Sequence, residues 1–301
     1  MSIRPVKRLA HAQPTTEGAG VHLQRAFGFH DPEAFDPFLL FDDFRNDDPA
    51  AYAAGFPWHP HRGIETITYV LSGEVEHGDS LGNRGSIGSG GIQWMTAGSG
   101  IIHQEMPRGD SAGRMHGFQL WANLPASLKM TAPRYQDIVA TDIPEVTEDD
   151  GTVARVVCGE FWGRRGPVEG IAADPVYIDV RVPPNTRRRL PVATKSHAFA
   201  YVFEGSGVFC DASEPLAVPT ESPGWHDTRP SNLADNRSLI LFDSGDEVVV
   251  TSGEQGIRFL LVSGRPLQEP VAWYGPIVMN TQQELQQAFQ ELQDGTFLNR
   301  D

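Results

Sequence analysis

The sequence predicts an all-β protein built from two copies of one β unit, with a single helix near its C-terminal end. Three observations lead there. Short β-branched or aromatic runs, closed by Gly, Pro or Asn, recur along the chain; one series of them occurs twice; and one stretch alone has helical periodicity.

The runs "ETITYVL" (65–71), "IQWMTAG" (92–98), "FQLWANL" (118–124), "VYIDVRV" (176–182), "AFAYVFEG" (198–205), "EVVVTSG" (247–253) and "RFLLVSG" (258–264) each read as a strand. Their number and spacing suit a sandwich or barrel, and 31 Gly and 23 Pro supply the turns. "TQQELQQAFQELQ" (281–293) is the helix. Thr281 and Glu284 stand at capping-box spacing, and Leu285, Ala288, Phe289 and Leu292 make one apolar stripe expected to pack on a barrel.

The repeat pairs "YVLSGEV" from Tyr69 with "YVFEGSGV" from Tyr201. It pairs "GIQWMTAG" from Gly91 with "DEVVVTSG" from Asp246, and "FQLWANLP" from Phe118 with "FLLVSGRP" from Phe259. The acidic, turn-rich "TDIPEVTEDDG" (141–151) is the expected boundary, which gives units 1–145 and 146–301.

Composition excludes several roles. Apolar residues at 40% and charged residues at 21% describe a folded chain. A formal charge of −15 argues against gripping a nucleic-acid backbone. The two cysteines, Cys158 and Cys210, form no metal or redox motif. The opening "MSIRPVKRLAHAQP" lacks a signal-peptide core, and no apolar run approaches a membrane span, so the expected address is cytoplasmic.

Chemistry concentrates in two stretches of the first unit. His59 and His61 in "FPWHPHRGIETITYVLSG", and His103 and Glu105 in "TAGSGIIHQEMP", are i, i+2 pairs that share a face if extended. Three imidazoles and a carboxylate suit a divalent first-row metal and leave octahedral positions for water, substrate or O₂. A lone H-x-H is weak; a second pair after the turn Gly98-Ser99-Gly100 strengthens it. Counted from the repeat's glycine, His59 and His61 fall at Pro191 and Ala193, and His103 and Glu105 have no counterparts, so one metal per chain is expected.

"HPHRGIETITYVLSG" followed by "GSGIIHQE" resembles the two cupin motifs. With "DPFLLFDDF" (36–44), "GFQLWANLP" and "GPIVMNT" (275–281), in order over nearly the whole chain, the sequence resembles the pirin family. That resemblance implies a bicupin fold: two antiparallel, jelly-roll-like β-barrels, the first holding a metal, usually iron, with Ni, Mn, Co, Cu and Zn as alternatives. It assigns His59, His61, His103 and Glu105 as ligands, and leaves Glu65, a ligand in many cupins, as a supporting carboxylate. It also implies a quercetin 2,3-dioxygenase type of activity on a flavonol or other phenol with O₂, with Glu105 as base. The alternative it carries is a metal- or redox-sensing protein that regulates a protein partner, without direct DNA contact.

Other residues divide between roles. Of Trp94, Phe118 and Trp121, at least two are expected in the core. Arg62 and Gln119 can orient a polar substrate or support ligands. His116 can shuttle protons or be an ordinary histidine, the latter being the expectation. "TRRRL" (186–190) is expected as a solvated loop. His77, His197 and His226 have no ligand-spaced companion.

Overall fold

The computed structural model describes residues 2–209 and 233–298; Cys210 and His226 lie outside them. The chain begins with β1 (Val6–His11), β2 (Gln13–Glu17), β3 (Val21–Phe27), the short helix α1 (Pro32–Phe35) and β4 (Phe38–Asp43). It continues through β5 (Phe56–His61), β6 (Ile64–Ser72), β7 (Glu74–Asp79), β8 (Arg84–Ile87), β9 (Ile92–Thr96), β10 (Ile101–Arg108), β11 (His116–Asn123) and β12 (Arg134–Ile138). The second half holds β13 (Glu145–Thr147), β14 (Val153–Cys158), β15 (Glu160–Phe161), β16 (Arg164–Arg165), β17 (Val176–Val182) and β18 (Arg187–Pro191). Then follow β19 (His197–Phe209), β20 (Leu233–Ala234), β21 (Ser238–Phe242) and β22 (Glu247–Gly264). A hairpin, β23 (Ala272–Tyr274) with β24 (Ile277–Met279), leads to α2 (Gln282–Asp294). No described helix is long and apolar enough to cross a membrane.

These strands build two antiparallel barrels on one plan. In the first, the sheet β12-β9-β6-β11-β4-β3-β2 faces the smaller sheet β5-β10-β7-β8. In the second, the sheet β1-β21-β19-β22-β17-β14-β13 repeats that order strand for strand, with β18 added to β22 and β20 to β19. The two-barrel, all-β expectation is met.

The strand orders also correct the repeat. "EVVVTSG" and "RFLLVSG" are not two strands but parts of the single 18-residue β22. The first part pairs with β18 as β10 pairs with β5, so "DEVVVTSG" takes the place of β10; the counterpart of β9 is β21. Both ladders start at comparable points, His61 opposite Ile101 and Pro191 opposite Glu247. By pairing, then, His59 and His61 correspond to Arg189 and Pro191, two residues earlier than the count from the glycine. "TRRRL" is correspondingly an edge strand, not a loop, with Arg188 paired to Glu148 and Arg189 to Glu247.

Both chain ends cross between the barrels. β1 pairs with β21 of the second barrel. The final hairpin and α2 pack back on the first, where Ile277, Leu285, Ala288 and Phe297 share a cluster with Ile102 of β10. The predicted capping box on α2 is present, Thr281 accepting from the Glu284 N–H and Glu284 from the Thr281 N–H. Gly63 shows how tightly the hairpin docks: at φ +77°, a Cβ there would lie 1.9 Å from the Val278 carbonyl oxygen.

Between the barrels, alternate residues of the two large sheets interdigitate. Phe41, Ile67, Tyr69 and Phe118 from one side meet Tyr177, Phe199, Tyr201 and Leu260 from the other. Two reciprocal polar contacts cross this apolar layer. Tyr69 of β6 donates to Asp179 of β17 at 2.8 Å, and Arg258 grips that carboxylate at 2.9 and 2.7 Å. Tyr201 of β19, the repeat partner of Tyr69, donates to Asp43 of β4 at 2.8 Å, and Arg45 grips it at 2.8 and 2.6 Å. Each buried carboxylate is thus satisfied from both sides of the interface.

Candidate metal centre

The site grows from the β5–β10 pairing. His103 stands directly opposite His59, and the alternation of β5 brings His61 to the same face. Gly98 permits the turn into β10: its φ is +50°, and a Cβ would fall 2.1 Å from the Thr131 carbonyl oxygen. The ligand atoms of His59, His61 and His103 lie within 4.8 Å of one another, the one such group of three among the described residues.

Tautomers follow from the carbonyls around these rings. His59 Nδ1 is 2.8 Å from the Pro57 oxygen and His61 Nδ1 is 3.2 Å from the Pro276 oxygen. A carbonyl only accepts, so both Nδ1 atoms carry hydrogen and, in the neutral rings, both Nε2 atoms present lone pairs. Those lone pairs face each other at 3.1 Å. Both ring nitrogens of His103 are buried without a hydrogen-bond partner.

Such an arrangement is repulsive on its own and fits a shared cation. Two nitrogens about 2.1 Å from one ion lie about 3.0 Å apart at a right angle and about 3.4 Å apart at a tetrahedral angle. Burial lowers the pKa of His59, and burial with neighbouring imidazoles pushes His61 and His103 well below the usual histidine range. Neutral imidazole is the form that ligates.

Glu105 lies beside this group. One oxygen is 4.0 Å from His103 Nε2, and the other is 3.1 Å from the Thr68 hydroxyl. Burial pushes its pKa up to about 7, against the lowering effect of Thr68. Thr68 also reaches Gln119 Oε1 at 2.8 Å.

Glu65 is elsewhere. On β6 it alternates with Thr68 and shares the parity of Ile67 and Tyr69, which pack against the second barrel; Thr96 donates to it at 2.7 Å. The turn at Gly63 separates β5 from β6, so its parity with His61 in sequence does not carry into space.

A cavity of about 420 Å³ opens over His59, His61 and Glu105. Phe29, Phe44, Phe56, Trp58 and Trp121 give it aromatic walls, and Gln119, Asp42 and Arg25 a polar side. Trp121 meets His61 edge-on at 5.1 Å, whereas Trp94 and Phe118 belong to the inter-barrel core. Gln119 lines the cavity; Arg62 does not. Arg62 instead ties α2 down, donating to Ser99 O, Glu291 and Phe297 O at 2.7, 2.7 and 3.0 Å. His116 pairs with Asp47 at 2.6 Å and is not among the lining residues.

Sequence reasoning missed Pro276, whose carbonyl orients His61 from 215 residues away. The signal was present in "GPIVMNT", but a backbone carbonyl leaves no residue-type signature. It also missed Thr68 and the Arg25–Asp42 pair, which become neighbours of the site only through sheet register.

Comparison with known proteins identifies the family and the fold. The pirin family pattern matches residues 20–122, and that of the pirin C-terminal cupin domain matches 177–298. A pirin-like protein of Caulobacter vibrioides is 45% identical over 99% of this chain and 100% of its own. The crystal structure of a quercetin 2,3-dioxygenase from Acinetobacter baumannii superposes with a TM-score of 0.84 at 29% identity, covering 99% of both chains. A bacterial pirin of Escherichia coli, solved in complex with nickel(II), matches at TM-score 0.63 and 21% identity over 86% of this chain and 99% of that one, a likeness of fold.

Proposed function

The chain belongs to the pirin family of the cupin superfamily, and we propose that it is a metal-dependent dioxygenase that opens the heterocycle of quercetin-like flavonols with O₂, releasing carbon monoxide. The observation that carries this reading is the cluster of three imidazoles, with the lone pairs of His59 and His61 turned toward each other, beside an aromatic-walled cavity of about 420 Å³ that His59, His61 and Glu105 line. That volume falls in the ~300–1,000 Å³ range of small-molecule sites.

His59, His61 and His103 would hold one divalent ion, iron in the first instance, with Glu105 as fourth ligand. The ion would supply Lewis acidity that makes a substrate hydroxyl easier to deprotonate. Glu105, beside the histidines and hydrogen-bonded by Thr68, would take that proton. Thr68 accommodates both states of the base. Its single hydrogen points to Glu105 Oε1 while Glu105 is ionised, and can swing to Gln119 Oε1 when protonated Glu105 donates to Thr68. The aromatic walls offer ring faces on which a planar ligand would stack.

Oxygen uptake by metal-loaded protein with quercetin tests the reading. Stoichiometric O₂ consumption, abolished in His103→Ala, is expected. A fully loaded protein that consumes no oxygen with any flavonol contradicts it and favours a partner-regulating role for the same centre.

A further inference from the structure

A row of side chains crosses the interior of the first barrel, each opposite the next on the adjacent strand. It runs Arg25 (β3), Asp42 (β4), Gln119 (β11), Thr68 (β6), Gln93 (β9), Asp137 (β12). Its middle touches Glu105 through Thr68. Asp42 lies two strands beyond Thr68, about 10 Å at ordinary strand spacing, and lines the same cavity. Arg25 binds Asp42 through two hydrogen bonds of 2.8 and 2.7 Å and reaches Glu17 at 2.9 Å.

We propose that Glu17, Arg25 and Asp42 form a hydroxyl-reading wall that selects ligands with neutral hydroxyl groups at the end remote from Glu105 and rejects those with a carboxylate there. The inference rests on the flavonol reading of the cavity. One guanidinium against two carboxylates leaves a net negative charge. Arg25 is the only Lys or Arg among the residues lining the cavity, and its Nε, Nη1 and Nη2 atoms are already engaged by Asp42 and Glu17. The guanidinium also lies 5.5 Å from the centre of the Phe29 ring, within reach of a cation–π contact. Three of the five guanidinium N–H groups are thus directed at carboxylates, so what the wall chiefly offers a ligand is carboxylate lone pairs, which accept from hydroxyls and repel anions. A distal catechol satisfies them; a bare phenyl ring leaves them facing apolar surface.

The test is an anaerobic binding titration of metal-loaded protein, followed by quenching of tryptophan fluorescence. The probes are 3,3′,4′-trihydroxyflavone, 3-hydroxyflavone and 3-hydroxyflavone bearing a 4′-carboxylate. All three share the hydroxy-ketone end and differ at the other. Wild type should bind the trihydroxyflavone about tenfold or more tighter than 3-hydroxyflavone, the scale of a hydrogen bond to a charged group, and should bind the carboxylate weakest. In Glu17→Gln and Asp42→Asn the catechol preference should shrink severalfold and the carboxylate should recover relative to 3-hydroxyflavone. If Asp42→Asn does not fold, Glu17→Gln, whose side chain is 41% exposed, carries the test. Equal wild-type affinities, or wild-type ratios retained in the folded variants, overturn the proposal while leaving the flavonol reading intact. Failure of the trihydroxyflavone and 3-hydroxyflavone alike to bind overturns both.

Discussion

The second barrel carries the same six-strand row as the first, with opposite chemistry. Against Arg25–Asp42–Gln119–Thr68–Gln93–Asp137 stands Val156–Ile178–Leu261–Ala200–Ile240–Leu9, joined by the same succession of strand pairings. All six pack in or against one apolar cluster. Where the first barrel presents three imidazoles and a carboxylate on β5 and β10, the second presents Arg189, Pro191 and the valines of β22. Backbone topology therefore does not make the site. One scaffold supports a filled apolar interior in one half and a polar, hollow one in the other, where the members of the row are paired with one another while His103 keeps both ring nitrogens without a hydrogen-bond partner.

The outward faces reverse the relation. There the halves are alike, since Tyr69 and Tyr201 reach across the interface to Asp179 and Asp43 in the same manner. The second barrel thus serves the first as a wall and as half of a reciprocal latch.

Separating the halves should have the largest effect. A fragment ending near Asp150 loses the partners of Tyr69 and Asp43, the strand pairing of β1, and the Pro276 carbonyl that orients His61. It should show no cooperative melt and should bind dyes for exposed apolar surface. A monomeric fragment that melts cooperatively and holds metal would break the account of interdependent halves.

Next in size is the latch itself. Asp43→Ala leaves the Arg45 guanidinium, 13% exposed, without its carboxylate, and should cost about 3–5 kcal/mol in denaturant unfolding. Tyr201→Phe removes one hydrogen bond to a charged group and should cost about 1.5–3 kcal/mol. If neither variant moves the unfolding midpoint, the latch is incidental.

Glu105→Gln sharpens the comparison inside the first barrel. Turnover per bound metal should fall about 10²–10⁴-fold, the range of general base catalysis, with occupancy reduced far less. Glu65→Gln, on the interface side of β6, should leave turnover per metal within a few-fold. The reverse outcome would reassign the carboxylate.

The smallest effect concerns pH. Burial raises the Glu65 pKa above its ordinary value, so the folded state holds that proton more tightly than the unfolded chain. Its stabilising contribution is full below the ordinary carboxylate range and is lost as pH rises through the raised folded value. Glu65→Gln should flatten that decline in melting temperature between pH 4 and 8. Parallel wild-type and variant profiles would contradict it.

Much of this was legible in the chain. β-branched runs located the strands, and the paired histidines, two apart, located the centre, because both signals are local. Long-range register was not. That β1 belongs to the second barrel, that "EVVVTSG" joins the following run in one strand, and that Glu65 turns away from His61 all depend on pairing or on a turn. The polar row was invisible for the same reason: its members are 25, 42, 119, 68, 93 and 137, with no sequence spacing to announce them.

The difference between the barrels is tested most directly by counting metal ions. Protein saturated with a divalent metal, desalted and submitted to elemental analysis should hold one ion per chain, and His61→Ala/His103→Ala should hold none while keeping the wild-type fold by circular dichroism. Two tightly bound ions per wild-type chain, or one retained by the double variant, would contradict it.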